Sequence, residues 1–227
     1  MGMDESQGYF QRVAEQWDTL SQGYFTERVR EAALAKADLT PEMVVADVGS
    51  GTGFMAAGLA LLVAKVYAID ASPQMLAVAR RNLGRFGNVC FGLAWGEALP
   101  LADASVDAAF ANMYLHHCAD PLAAIREMAR LLRPGGRLVV TDTDRHDHEW
   151  MREEMADRWL GFERAQVKAW FEQAGLVDVA VDCTGQECCA EPRAGGERAS
   201  ISVFVASGTK PARHSYLAPG TSVLESN

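Results

Sequence analysis

Apolar and polar positions along this chain switch between two periods, and the switches outline an α/β fold. Met43-Val44-Val45-Ala46 is a short apolar run, and Phe54-Met55-Ala56-Ala57-Gly58-Leu59-Ala60-Leu61-Leu62 can continue as a helix. Asp47-Val48-Gly49-Ser50-Gly51-Thr52-Gly53 lies between them, so this stretch reads as strand, glycine turn and helix start. Val66–Asp70 and Val106–Asn112 read as further strands. Ser72-Pro73 supplies an N-cap and a first-turn proline for a helix from Gln74. Asp120-Pro121 opens another, with Leu122, Ile125, Met128 or Ala129, and Leu132 along one side, and Arg133-Pro134-Gly135-Gly136 stops it. A helix is expected from about Glu163 to Ala174, closed by Gly175 in the left-handed conformation. Val177–Cys183 and Ala199–Ser207 alternate as strands and are expected to close the sheet as an antiparallel hairpin. From Met43 to Val140 strands alternate with helices, which implies parallel βαβ units.

The flanks carry different patterns. Residues 4–38 read as helical, with Tyr9, Phe10, Trp17, Tyr24 and Phe25 spaced along them, either as packing residues or as a lid over a ligand cleft. Asp142 to Gly161 is rich in charge and reads as a solvated connection with one helix. Lys210–Asn227 has few large apolar residues and reads as a frayed tail. The expected organisation is a helical cap over residues 1–40, a ligand-binding α/β domain over 41–208 and a flexible tail over 209–227.

Composition narrows the partners. A chain of 227 residues with 49% hydrophobic content suits one globular domain. No apolar stretch of about 18 residues appears, so no membrane span is expected. The acidic Met1-Gly2-Met3-Asp4-Glu5 start has no signal-peptide pattern, and five cysteines then read as reduced thiols in the cytoplasm. A net charge of -9 argues against nucleic acid as a partner, because that affinity needs clustered Lys and Arg.

The glycine turn is where a nucleotide-like cofactor can touch bare backbone. A dinucleotide fingerprint would need a third glycine where Phe54 stands, and a P-loop would need a lysine that is absent. Asp47 would repel a pyrophosphate and would hold an ammonium. The Asp-x-Gly-x-Gly-x-Gly pattern resembles the first motif of class I S-adenosylmethionine-dependent methyltransferases. Val66-Tyr67-Ala68-Ile69-Asp70, the strand at 106–112 and Leu131-Leu132-Arg133-Pro134-Gly135-Gly136 follow in that family's order. Phe10-x-x-x-Ala14-x-x-Trp17-Asp18 resembles a segment of its ubiquinone/menaquinone C-methyltransferase-like (methyltransferase type 11) subgroup. The resemblance implies a doubly wound, seven-stranded, mostly parallel sheet with an N-terminal helical lid, and S-adenosylmethionine as cofactor. It also implies that Asp47 orients the methionine ammonium and that Gly49, Gly51 and Gly53 shape the loop. Asp70 would accept the ribose hydroxyls, Ala71 and Met75 would border adenine, Asn112 would meet the methionine end by its backbone, and Trp17 would belong to the same site. One departure is plain: where the family carries an Asp before Leu-Pro, this chain has Trp95, which cannot accept the adenine amino group. Trp95 is expected to pack on the purine, with the Gly96 N–H reaching a ring nitrogen.

On the acceptor side, the implied reaction is methyl transfer to a small molecule by a monomer or homodimer, with no resident metal. His117 is the acid/base candidate, since an ordinary imidazole titrates near working pH. His146-x-His148-Glu149 reads as a solvated loop, because spacing of two places both rings on one side only in an extended segment. Cys183, Cys188 and Cys189 are expected in the turn between the last two strands, facing the same edge as Cys118. Cys188 and Cys189 are therefore further catalytic candidates, and a thiophilic acceptor such as trivalent arsenic is an alternative. A cofactor-binding regulatory module without turnover and an NAD(P)-linked oxidoreductase are the readings from other classes.

Overall fold

The computed structural model describes residues 5–96, 98–193 and 195–212. Seven strands form one sheet: β1 (Val44–Val48), β2 (Lys65–Asp70), β3 (Val89–Leu93), β4 (Val106–Asn112), β5 (Leu132–Thr143), β6 (Val177–Ala190) and β7 (Ala199–Thr209), in the order β3-β2-β1-β4-β5-β7-β6. β1 to β5 run parallel, and β7 is antiparallel to both β5 and β6. The chain winds outward from β1 in one direction and from β4 in the other, so a crevice opens between their carboxyl ends. The doubly wound, mostly parallel sheet expected from the sequence is the observed one.

Eight α-helices accompany the sheet among the described residues: α1 (Glu5–Val13), α2 (Trp17–Leu20), α3 (Glu27–Leu34), α4 (Phe54–Leu59), α5 (Pro73–Asn82), α6 (Pro121–Leu131), α7 (Trp150–Glu154) and α8 (Arg164–Gln173). Alternation along β4 splits the core in two. Ala109 and Ala111 join Ile125 and Met128 of α6 and Val167 and Phe171 of α8 on one face. Ala108 and Phe110 join Met55, Ala56 and Leu59 of α4 and Ala33 of α3 on the other. Two helix starts follow local chemistry. Ser72 Oγ accepts the Met75 N–H and Asp120 Oδ1 accepts the Ala123 N–H, each ahead of a first-turn proline. The amino-terminal helices lie over α5 through Ala14, Met75 and Val78, with Phe10 and Trp17 packed alongside.

The structure departs from the expected bounds in three places. β6 does not stop at Cys183. Thr184 and Gly185 form a bulge, in which Thr184 Oγ1 donates to the Val203 carbonyl and accepts the Gln186 N–H, and pairing resumes to Ala190↔Ala199. A second irregularity, between Val177 and Ala180, contains Asp178 at φ 52°. Cys188 and Cys189 therefore stand in a strand and not in a turn. β7 runs to Thr209, and Lys210 is anchored, its Nζ donating to the last carbonyls of α6 at Ala129 and Arg130. Residues 213–227 of the expected tail lie outside the described residues. Finally, the charge-rich stretch from Asp142 is not solvated throughout: Asp142 ends inside the sheet fully buried, and Asp157 and Met151 are buried too.

No helix among the described residues is long and apolar enough to cross a membrane. Ile125, completely buried between α6 and the sheet, tests the core. Ile125→Ala is expected to lower unfolding free energy by about 2–5 kcal/mol with an unchanged denaturant m-value, as measured by equilibrium urea unfolding.

Candidate functional site

The loop after β1 is built for close approach. Gly53 has φ 98°, and a β-carbon there would stand 2.7 Å from Leu83 Cδ1. Gly49 has φ 68°, and its β-carbon would lie 2.3 Å from the ring of Tyr114, so that ring can lie flat against bare backbone. Asp47, at the end of β1, is 1% exposed, and its Oδ2 accepts the Ala56 N–H from the first turn of α4. Burial, reinforced by the nearby Asp70 and opposed by the Ala56 N–H, pushes its carboxyl up to about 7. Asp70, at the tip of β2, accepts the Gly51 N–H on Oδ2 and the Ser72 N–H on Oδ1. Burial raises its pKa against those N–H groups. Each carboxylate oxygen keeps a second lone pair for an incoming donor.

These groups face one cleft of about 180 Å³, which also takes in Ala71, Met75, Trp95, Gly96 and Asn112. Every residue expected at the cofactor site except Gly53 lines it; Gly53 sits behind the loop against α5 and the helix end at Leu83. Phe10, Trp17 and Phe25 line the cleft from the amino-terminal side. Trp95 is 56% exposed, an unusual state for an indole and one that leaves its face open to a planar ligand. Tyr114 stands between the two glycine positions, since a β-carbon on Gly96 would fall 1.5 Å from its hydroxyl oxygen. Ser50 Oγ is buried in the loop and has no hydrogen-bond partner among the described residues. An orphaned hydroxyl, a desolvated carboxylate and a positive-φ cradle together fit a ligand with an ammonium and a diol, the donor set of S-adenosylmethionine.

Beside the cleft lies a buried polar network. His116 Nδ1 is 2.6 Å from Asp142 Oδ1, and the His116 N–H reaches Asp142 Oδ2 at 3.3 Å. Burial would lower the His116 pKa, but the Asp142 and Asp157 carboxylates outweigh it and raise the ring to about 9. His117 is pushed well below its ordinary value, first by burial and then by the neighbouring His116. Its Nδ1 lies 3.2 Å from the Ala156 carbonyl, and Phe10 meets its ring edge-on at 4.8 Å between centroids. The ordinary imidazole pKa expected for His117 is therefore not what this environment gives. Backbone strain marks the same place: Met113 directly follows β4 with φ 51°, and Ala156 has φ 60°.

Sequence reasoning named His117 but missed Asp142 and Asp157. Asp142 could have been found, since β4 and β5 are neighbours and a strand-end carboxylate there faces the turn after β4. Asp157 carried no signal, because the loop that returns it is set by backbone contacts: the Arg158 and Trp159 N–H groups both donate to the His116 carbonyl.

The cysteines do not form one ligand set. Cys188 and Cys189 are neighbours on β6, opposite Ile201 and Ser200, so their side chains leave on opposite faces. Cys188 is 4% exposed, and burial pushes its thiol up to about 12, while Cys189 is half-buried beside Ser200. Cys183 is exposed and lies across the bulge, and Cys118 lines the cleft with its Sγ near the Tyr114 carbonyl. The expected joint site at Cys188 and Cys189 fails on strand geometry. His146 and His148 lie in an irregular connection, as expected, with the His148 N–H donating to His146 Nδ1.

Residues 46–140 match the family described as "Methyltransferase domain". The chain is 31% identical over 181 residues to malonyl-[acyl-carrier protein] O-methyltransferase of Marinomonas sp. (strain MWYL1), covering 75% of this chain and 64% of that protein. It is 37% identical over 136 residues to demethylmenaquinone methyltransferase of Tropheryma whipplei (strain Twist), covering 59% and 56%. It thus spans less than two thirds of the length of these relatives. Among solved structures, a chain from a complex that contains the Haloferax volcanii Trm112 methyltransferase activator superposes with a TM-score of 0.78 at 22% identity, over 92% of this chain and 99% of that one. Haemonchus contortus phosphoethanolamine N-methyltransferase 2 in complex with S-adenosyl-L-methionine gives 0.72 at 15%, over 92% and 61%. These two likenesses speak to the fold.

The His116 environment has a pH signature. Its folded pKa lies above the unfolded value, so its contribution is complete below about pH 6.5 and disappears as pH rises through about 9. The protein should lose about 3 kcal/mol of stability across that window by differential scanning calorimetry. His116→Gln should be less stable at neutral pH and should lose most of the slope between about pH 6.5 and 8.5, below the range where buried Cys188 adds its own; an equal slope there in the variant would remove His116 as its source.

Proposed function

On the premise that residues 46–140 are a class I methyltransferase domain of the ubiquinone/menaquinone C-methyltransferase-like kind, we propose that this chain transfers the methyl group of S-adenosylmethionine to a small-molecule acceptor. The observation that carries the proposal is the convergence of Asp47, the Gly49–Gly51 loop and Asp70 on one cleft at the carboxyl edge of the sheet.

Asp47 holds the ligand ammonium against a carboxylate that is costly to bury unpaired. Asp70, already fixed by the Gly51 and Ser72 N–H groups, accepts the ribose hydroxyls without reorganising. Trp95 offers its exposed face to the purine in place of the hydrogen bond a carboxylate would make. When bound, S-adenosylmethionine supplies an electrophilic methyl on a sulfonium whose charge is lost during transfer, so the chain need not contribute a strong acid. Its contribution is alignment, which can supply roughly 7–11 kcal/mol. Phe10, Trp17 and Phe25 line the cleft from the amino-terminal side and give it an apolar wall. His117 stays neutral, and with Nδ1–H donated to the Ala156 carbonyl its Nε2 is a hydrogen-bond acceptor. Such a group positions an acceptor hydroxyl and takes a proton only from an acidic one. The aromatic lining favours a flat, apolar-bodied acceptor, and the relatives named for demethylmenaquinone and for 2-methyl-6-phytyl-1,4-hydroquinone accord with a quinol or phenol.

Two measurements test this reading. Isothermal calorimetry should show S-adenosylhomocysteine binding to the folded chain, and Asp70→Ala should weaken it by about 1–3 kcal/mol. Binding should also weaken as pH falls below about 7, because Asp47 must shed its proton to meet the ammonium; Asp47→Asn should bind less tightly and lose that dependence. S-adenosylhomocysteine formation with a panel of quinols, phenols and thiols should reveal turnover. Tight binding without product from any of them would instead make the chain a sensor.

A further inference from the structure

We propose that His116, His117 and Asp157 bind a single divalent transition-metal cation, zinc by the character of the donors, in a small chamber beside the cofactor cleft. One donor atom from each residue lies within 4.8 Å of the others. His116 Nε2 is 3.8 Å and His117 Nδ1 3.9 Å from Asp157 Oδ1, and a cation would take the place of the proton that His117 Nδ1 donates to the Ala156 carbonyl in the metal-free chain. Donors sharing a tetrahedral zinc ion stand roughly 3.3 Å apart, given metal–ligand lengths of about 2.0–2.1 Å, so closure asks for side-chain movements of about half an ångström. Two imidazoles and one carboxylate with a free coordination position are a donor set that suits zinc or ferrous iron and not magnesium or calcium.

Three further features belong to a built site. The first is the outer support of His116: Asp142 Oδ1 takes its Nδ1–H, so the proton a cation displaces is the one on Nε2, which is directed away from Asp142. Asp142 is itself locked by the Thr143 and His116 N–H groups. The second is Asp157. It is 8% exposed, yet its Oδ1 accepts no hydrogen bond among the described residues and points at both imidazoles. A buried carboxylate oxygen in that state lacks a partner that a cation would supply. The third is the delivery of Asp157, which follows Ala156 in a left-handed conformation, while the next two N–H groups are pinned to the His116 carbonyl. A short loop is thus bent against its own preference to bring this oxygen to these rings.

The size of the chamber decides between an ion and an organic molecule. At about 30 Å³ it has room for an ion with one water but none for a methyl acceptor. Its wall includes Met113, His146, Met151, Met155 and Cys188, and no lysine or arginine among the described residues lines it. Two carboxylates, Asp142 and Asp157, face two imidazoles here, so a divalent ion brings the set to neutrality. Met113 and His117 line both the chamber and the cleft, which puts the ion one side chain from the cofactor.

The test uses the full chain freed of metal by chelation, and it needs no catalytic turnover. Zn²⁺ titration by calorimetry should show one saturable equivalent, and Co²⁺ should give the visible absorption of a four- or five-coordinate ion. Asp157→Asn and His117→Gln should each weaken Zn²⁺ by about tenfold or more, with circular dichroism like that of the parent protein. Cys188→Ser and His148→Ala, the latter outside the chamber, should each bind as the parent does. If Asp157→Asn does not fold, His117→Gln alone decides, since a neutral His117 makes no ion pair with Asp157 whose loss would unfold the chain. Absence of saturable Zn²⁺ binding would overturn the site, as would binding that survives both ligand variants or is abolished by Cys188→Ser.

Discussion

Much of the region around the cleft hangs on one buried carboxylate. Asp142 ends the parallel part of the sheet inside the protein and takes three donors: the His116 ring N–H, the His116 backbone N–H and its own neighbour, Thr143. An unpaired charge at that depth would cost several kcal/mol, so the turn after β4 is held to β5 wherever the chain is folded. The grip passes outward. The His116 carbonyl receives two N–H groups from the 156–159 loop, and Trp159 Nε1 donates to the Cys118 carbonyl. Met113, Tyr114 and His117, which form one wall of the cleft, are fixed between these attachments.

The opposite wall is organised by the β1 and β2 tips. There the backbone itself supplies donors, because the loop between Asp47 and Phe54 folds back so that Gly51 caps Asp70. One side of the cleft is thus set by glycine geometry and the other by buried charge. The amino-terminal helices rest mainly on small contacts with α5, with Phe10 reaching His117 and Trp17 reaching the loop.

Legibility followed the strength of the local signal. β4 was readable to the residue because it alternates between two apolar layers and ends at Asn112, and α5 and α6 were readable from a capping residue followed by proline. The convergence of Asp47, the glycine loop and Asp70 on one cleft was readable because they stand at fixed distances along the chain. What could not be read was produced by tertiary contact. Thr184-Gly185 looks like a turn in sequence, yet bulges and lets β6 run on to Ala190. A charged run suggested solvent, yet delivered Asp142 and Asp157 to the interior, because imidazoles and backbone N–H groups awaited them. The thiols of Cys188 and Cys189 are adjacent in sequence and separated by the pleat.

The two interruptions in β6 also bear on how the protein keeps to itself. β6 is the outermost strand of the sheet and, at 14 residues, a long one, offering an outer row of unpaired N–H and C=O groups to any passing chain. Irregular register at Val177–Ala180 and again at Cys183–Gln186 breaks that row into short lengths and adds local twist. Lys36 covers Asp182 with an ion pair, and the Gly23 backbone lies so close to the Cys189 carbonyl that a β-carbon would stand 2.9 Å away. A foreign strand meets only brief stretches of matching hydrogen-bond pattern before its register fails. The bulge that misleads a reading of the sequence is thus a safeguard against edge-to-edge aggregation.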